Sequence, residues 1–394
     1  MIDAKVVHRA AAGLRGGDGR APRLLLIRSE HLGDVLFTLP AAAGLRRTLP
    51  DARITYLVAS GLHDVAARCP VVDEVIHLPF PPPERPADPA RWAAVVAREA
   101  PLLHARFDAA LLFRPADPWA GALVQAAAVP VRLGYLEAAS RPFLTDGVAH
   151  RRQAHAVAGA IELADLALER LGAEHTRARP AAGAERLLVP TPGDRRAAAR
   201  LLATMPADAG ARPFVLHPGA GWPLKLWPAE RWGAVAAGIY QRFGCRPLVT
   251  GVTAERALVE RVVAASGGRA VGLPGRLSLG AFAALLERAR VVIASDSGPL
   301  HLAAMVGAPV VGLYGPGGPR QVGPWCAPGR RRLVWVDLPC RPCGTMEHPP
   351  CGAARNPDCV TGTTVEQVLA ATEALVRGDS GRVSAHVRSG PHSG

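Results

Sequence analysis

Short apolar runs alternate with longer stretches of helical periodicity along most of the chain. The first run, Arg23-Leu-Leu-Leu-Ile-Arg28, is unbroken between two charges, as expected of a strand buried on both faces. Runs at 54–58, 75–78, 109–113 and 131–134 predict four more strands, with helices between them at 33–48, 89–105, 118–128 and 153–171. Residues 173–186 are polar and small, without period, and read as a linker. The alternation then restarts. Strands are expected at 213–217, 246–250, 270–272, 290–294 and 309–314, and helices at 194–204, 229–242, 254–266, 279–288 and 298–306. A last helix covers 364–377. Two blocks of strand–helix alternation predict an α/β protein of two doubly wound, Rossmann-like domains, 23–180 and 187–363, facing a central cleft. Residues 1–22 read as a flexible leader and 378–394 as a disordered tail.

Composition narrows this picture. At 394 residues and 49% hydrophobic content, two cores can be buried. No apolar run reaches the ~20 residues of a membrane helix. Lys5, His8, Arg9 and Arg15 interrupt the N-terminus, so no secretory signal is read and a cytoplasmic protein is expected. The net charge of +13, carried almost entirely by Arg, suits an anionic substrate or peripheral contact with the inner-membrane surface. Aromatics are only 5% and interleave with no basic run, which argues against nucleic acid. Of seven Cys, four cluster as Cys340-x2-Cys343-x7-Cys351-x7-Cys359. In a cytosolic protein this spacing suggests either a structural zinc site or a loop of free thiols.

Candidate chemistry lies where strands end. The first strand runs into Arg28-Ser-Glu-His-Leu-Gly-Asp34, where a dinucleotide fingerprint would stand, yet G-x-G-x-x-G is absent. This counts against a nicotinamide oxidoreductase and leaves Asp34 as a carboxylate able to take a proton. Val215-Leu-His-Pro-Gly-Ala-Gly opens the second half in the same way, with Gly219 freeing backbone for an anion and Lys225 supplying a point charge. Glu255 follows the strand ending at Thr250 and could accept from ribose hydroxyls. Ala294-Ser-Asp-Ser-Gly-Pro-Leu-His301 joins a strand to a helix start, with Asp296 or Ser297 as cap and His301 just inside. A helix N-terminus at a sheet edge suits a phosphate.

Taken in order, Arg28-x5-Asp34, Arg132-Leu-Gly-Tyr135, Val148-Ala-His-Arg-Arg-Gln-Ala-His155, His217-Pro-Gly-Ala, Lys225-x-Trp-Pro-x-Glu-Arg-Trp232 and Asp296-Ser-Gly-Pro-Leu-His-Leu-Ala303 resemble glycosyltransferase family 9, the ADP-heptose–lipopolysaccharide heptosyltransferases. The resemblance implies a GT-B fold and inverting transfer of heptose from ADP-heptose to a glycan or glycolipid acceptor, with no metal in the chemistry. It implies Asp34 as general base. It implies Lys225, Asp296, Ser297, Gly298 and His301 as contacts to the nucleotide sugar and Glu255 as a ribose contact; Gly219, from its turn, joins them as a donor-binding candidate. The basic residues Arg28, Arg114 and Arg132 of the first half are the acceptor-binding candidates. The alternatives are a GT-B transferase using another nucleotide sugar and a non-catalytic nucleotide-sugar-binding protein.

Overall fold

The apolar runs form parallel strands flanked by helices. The computed structural model describes residues 20–29, 31–78, 89–173, 186–353 and 355–378. Most of the expected leader, linker and tail, and Glu30, lie outside the described residues. The chain divides into two compact units, Met1–Ala181 and Ala182–Gly394.

The first unit holds a six-stranded parallel sheet: β1 (Arg23–Ile27), β2 (Arg53–Ala59), β3 (Glu74–Leu78), β4 (Ala109–Leu112), β5 (Val131–Tyr135) and β6 (Asp146–Val148). Its strand order is β3-β2-β1-β4-β5-β6. The second unit repeats this plan with β7 (Phe214–His217), β8 (Leu248–Gly251), β9 (Val271–Pro274), β10 (Val291–Ser295), β11 (Val310–Tyr314) and β12 (Arg331–Trp335), ordered β12-β11-β10-β7-β8-β9. In each sheet the chain runs outward from the first strand, then returns to that strand's other side. The reversal falls between β1 and β4 and again between β7 and β10. Ligands bind beyond the carboxyl ends of strands at such a reversal.

The sixth strands, β6 and β12, were not expected from the sequence. β6 is three residues long and half-buried, while β12 begins with two arginines. Both are edge strands, paired on one side only, so neither carries the apolar run that marks a central strand.

Packing follows the expected periods. Leu24, Leu25, Leu26 and Ile27 are buried on both faces of β1. The helix Ala229–Phe243 presents Trp232, Val235, Ala236 and Ile239 to the second sheet, an i, i+3, i+4, i+7 stripe beside Phe214, Leu216 and Val249. The terminal helix Val365–Arg377 lies against that helix. It can do so because Gly238 carries no Cβ, which would stand 2.6 Å from Leu369 Cδ1. Both cores therefore press their strand ends into fixed positions.

Candidate functional site

In the first unit, the reversal between β1 and β4 gathers Arg28, Asp34 and Phe113. Asp34 lies in the first turn of the helix Leu32–Thr48. The Arg28 guanidinium is 2.9 Å from Asp34 Oδ2 and also donates to the Phe113 carbonyl at 3.0 Å. Two adjacent strand ends thus hold one carboxylate. Deeper in, the Tyr56 and Thr38 hydroxyls meet each other, and Thr38 Oγ1 donates to the Val35 carbonyl at 2.7 Å. That bond braces the turn carrying Asp34. The turn is entered through His31 at φ 39°, a backbone region unusual for a non-glycine residue.

Arg114 follows β4 beside the buried Asp117, whose Oδ1 accepts from Ala120 N–H and caps the helix Pro118–Ala126. Burial raises the Asp117 carboxyl above its ordinary range, against the pull of Arg114 and Arg28. Arg132 does not join this group. It is the second residue of β5, at the amino edge of the sheet. Its guanidinium is spent on the carbonyls of Phe143 and Val129, each at 2.7 Å. Arg132 is thus engaged with backbone on a different edge of the sheet from Asp34. Arg28 is likewise engaged with Asp34.

In the second unit, the reversal between β7 and β10 brings together nearly all the expected donor residues. Registry pairs His217 with Ala294, which puts Asp296 just beyond the neighbouring strand end. The Asp296 carboxylate is buried. Lys225 Nζ lies 2.7 Å from its Oδ2, and His301 Nε2 lies 3.5 Å from its Oδ1. Burial pushes this carboxyl up, but the His301 hydrogen bond and the Lys225 charge outweigh burial and hold it below its ordinary range. Neither expected cap forms. Ser297 Oγ donates to the Ser295 carbonyl at 3.0 Å, and the helix Gly298–Met305 has no side-chain cap. Pro299 has no N–H and the Leu300 N–H donates to the Ser297 carbonyl at 3.1 Å, so the Gly298 N–H is the first-turn amide left for another acceptor.

On the other side of β7, His217 is buried. Its Nδ1 lies 3.0 Å from Thr250 Oγ1, and that hydroxyl donates onward to the Leu216 carbonyl. The hydroxyl has one proton, so His217 donates from Nδ1 and keeps Nε2 as an acceptor. Burial drives the His217 pKa down to about 4, so the ring is neutral. Glu255 Oε2 sits 3.8 Å from Nε2 and accepts from Val252 N–H at 2.9 Å. Gly219 lies against the Glu255 carboxylate so closely that any Cβ there would overlap it. The outcome is two patches on one sheet edge: Glu255 beside His217, and Lys225, His301 and the Gly298 N–H around Asp296.

The zinc expectation is not met by this geometry. Among the described residues no group of three His, Cys, Asp or Glu is placed to hold a metal ion. Cys340 and Cys351 are exposed thiols, Cys343 is half-buried and Cys359 is buried. Burial pushes the Cys359 thiol up to about 11; Arg341 opposes this, and Cys343, Cys340 and Cys351 reinforce it. No signal in the sequence distinguishes Arg341. It stands between two of these cysteines, and its three hydrogen bonds run to backbone carbonyls outside its own turn.

Comparisons with known proteins bear on this site. The family model described as glycosyltransferase family 9 (heptosyltransferase) matches residues 100–350. The chain is 30% identical to lipopolysaccharide heptosyltransferase 1 of Pseudomonas aeruginosa over 326 residues, covering 82% of this chain and 86% of that protein. Among solved structures, a family 9 glycosyl transferase of Veillonella parvula superposes with a TM-score of 0.72 at 24% identity, covering 93% and 99% of the two chains. ADP-heptose LPS heptosyltransferase II of Escherichia coli superposes with a TM-score of 0.70 at 19% identity, covering 91% and 100%.

Proposed function

The chain belongs to glycosyltransferase family 9, and from this premise we propose that it is an inverting heptosyltransferase, moving heptose from ADP-heptose to a hydroxyl of a lipopolysaccharide-type glycan or glycolipid. The observation that carries the reading is the pair of patches at the β7–β10 reversal. Glu255 and neutral His217 offer acceptors for ribose hydroxyls. Lys225, His301 and the Gly298 N–H at the start of Gly298–Met305 offer donors for a diphosphate, with Ser297 beside them. Asp296 holds Lys225 and His301 in place.

Asp34 is the base in this reading. It takes the proton of the acceptor hydroxyl as that oxygen bonds to the anomeric carbon. The bond from that carbon to the diphosphate oxygen breaks, ADP leaves with the electron pair, and the anomeric configuration inverts. Lys225, His301 and the helix start meet the charge that grows on the leaving diphosphate, so no divalent cation is assigned a role. Arg28 orients Asp34, and Arg28, Arg114 and Arg132 are the basic candidates for the acceptor. The excess of Arg suits an anionic acceptor at the cytoplasmic face of the inner membrane. Among the described residues no helix is long and apolar enough to cross a membrane.

Thermal shift with ADP, UDP and GDP tests the donor assignment. ADP at about 100 times its Kd should stabilise by about 2.7 kcal/mol, with UDP and GDP well below it. Preference for UDP or GDP would move the assignment to another nucleotide sugar. ADP binding without hydrolysis or transfer of ADP-heptose, across a panel of acceptors, would favour a non-catalytic binding protein.

A further inference from the structure

The loop that leaves β11, Gly315-Pro316-Gly317, runs beside the Asp296 carboxylate. A Cβ at Gly317 would stand 2.5 Å from Asp296 Oδ2, the oxygen that receives Lys225. Gly315 packs against Val360 so closely that any Cβ there would overlap it. The Asp296 carboxylate that receives Lys225 therefore rests on this short glycine loop. The loop has little to hold itself: Pro316 has no N–H and neither glycine has a side chain.

Arg341 supplies what the loop lacks. Its Nε donates to the Gly315 carbonyl at 2.6 Å and its Nη2 to the Gly317 carbonyl at 3.2 Å. Its Nη1 donates to the Val336 carbonyl at 2.6 Å, which anchors the guanidinium to the chain leaving β12. Gly344 N–H adds a bond to the Pro316 carbonyl at 3.2 Å. A planar fork of donors can fix two carbonyls and an anchor at once, which an ammonium cannot. These three nitrogens all point at backbone, so Arg341 acts through the loop and not on a reacting atom.

Resting on the donor reading above, we infer that Arg341 is a positioning residue for the nucleotide sugar: by clamping Gly315 and Gly317 it keeps the Asp296–Lys225 pair in the geometry that grips the diphosphate. The segment Cys340–Gly344 thus has a role independent of any metal. It ties the donor site to the strand that precedes it, β12.

The test is steady-state kinetics with ADP-heptose and calorimetry with ADP. Arg341→Met should raise the donor KM and the ADP Kd about tenfold or more, with kcat at saturating donor within a few-fold of wild type. Arg341→Lys, which can reach one carbonyl, should recover part of the loss. Gly317→Ala, which crowds Asp296 Oδ2 from the loop side, should reproduce the KM effect with Arg341 intact. A merely structural residue would lower melting temperature and active fraction while leaving donor KM and ADP Kd unchanged; that pattern overturns the inference. If Arg341→Met does not fold, Arg341→Lys and Gly317→Ala decide the matter by the same two readouts. Wild-type protein that fails to bind ADP would overturn the donor reading and this inference with it. Wild-type activity with unaltered donor KM in the variants would overturn this inference alone.

Discussion

Lys225→Met offers a sharp test of how the donor site is built. The substitution keeps the apolar stem and removes the charge. In the folded protein, Asp296 has a side chain only 4% exposed and meets Lys225 Nζ at 2.7 Å. After substitution the carboxylate keeps His301 at 3.5 Å and loses the Lys225 charge. Orphaning one partner of a buried ion pair costs about 3–5 kcal/mol. Lys225 is itself 18% exposed, and His301 remains, so a loss of about 3 kcal/mol is expected, the low end of that range. Denaturant unfolding followed by tryptophan fluorescence would read it, since Trp227 and Trp232 are buried in the second core. Lys225→Met/Asp296→Asn removes the stranded charge and should recover most of the stability without recovering ADP binding. The variant should also lose less stability than wild type as pH falls through the carboxylate range, because without Lys225 burial lifts the Asp296 carboxyl and protonation relieves the stranded charge. A Lys225→Met protein within about 0.5 kcal/mol of wild type, with no coupling to Asp296→Asn, would refute the reasoning.

Three further outcomes are expected. Asp34→Asn should lower kcat by ~10²–10⁴ with ADP affinity unchanged, and near-wild-type turnover would remove Asp34 as the base. His217, held neutral with a pKa of about 4, should make stability fall as pH drops from its unfolded value near 6.5, because the unfolded chain takes up the proton first; the loss totals about 3 kcal/mol by pH 4, and a denaturation series on His217→Asn that keeps the same slope would count against it. EDTA should leave initial rates intact, and elemental analysis should find the four clustered cysteines without stoichiometric zinc; immediate loss of turnover restored by Mg²⁺ would contradict the first expectation, and one zinc per chain the second.

Much of the architecture was legible because it is written in local terms. Leu24–Ile27 and Val291–Ile293 are apolar without alternation, which only doubly covered strands require. The restart of the pattern after residue 186 marked a second unit. Edge strands were illegible for the same reason: β12 opens with Arg331 and Arg332, and its pairing to β11 is decided by position, not by its own residues. Asp34, Lys225, Asp296 and His301 could be singled out because each stands at a strand end with its motif around it.

What the chain alone could not determine was which end of each strand would matter, and what each side chain would touch. Strand order put β1 beside β4 and β7 beside β10, and that reversal made Asp34 and Asp296 neighbours of other strand ends. The same order left Arg132 at the far edge, bonded to carbonyls. Arg28 stood out as a basic residue at a strand end, and the fold brings it onto Asp34. Arg341 looked like part of a cysteine motif and instead clamps the loop under Asp296. Periodicity is a property of neighbouring residues, so sequence determined the elements and their order along the chain. Partners such as Lys225 and Asp296 are 71 positions apart, and their meeting depends on how sheets stack those elements, which only the tertiary structure decided.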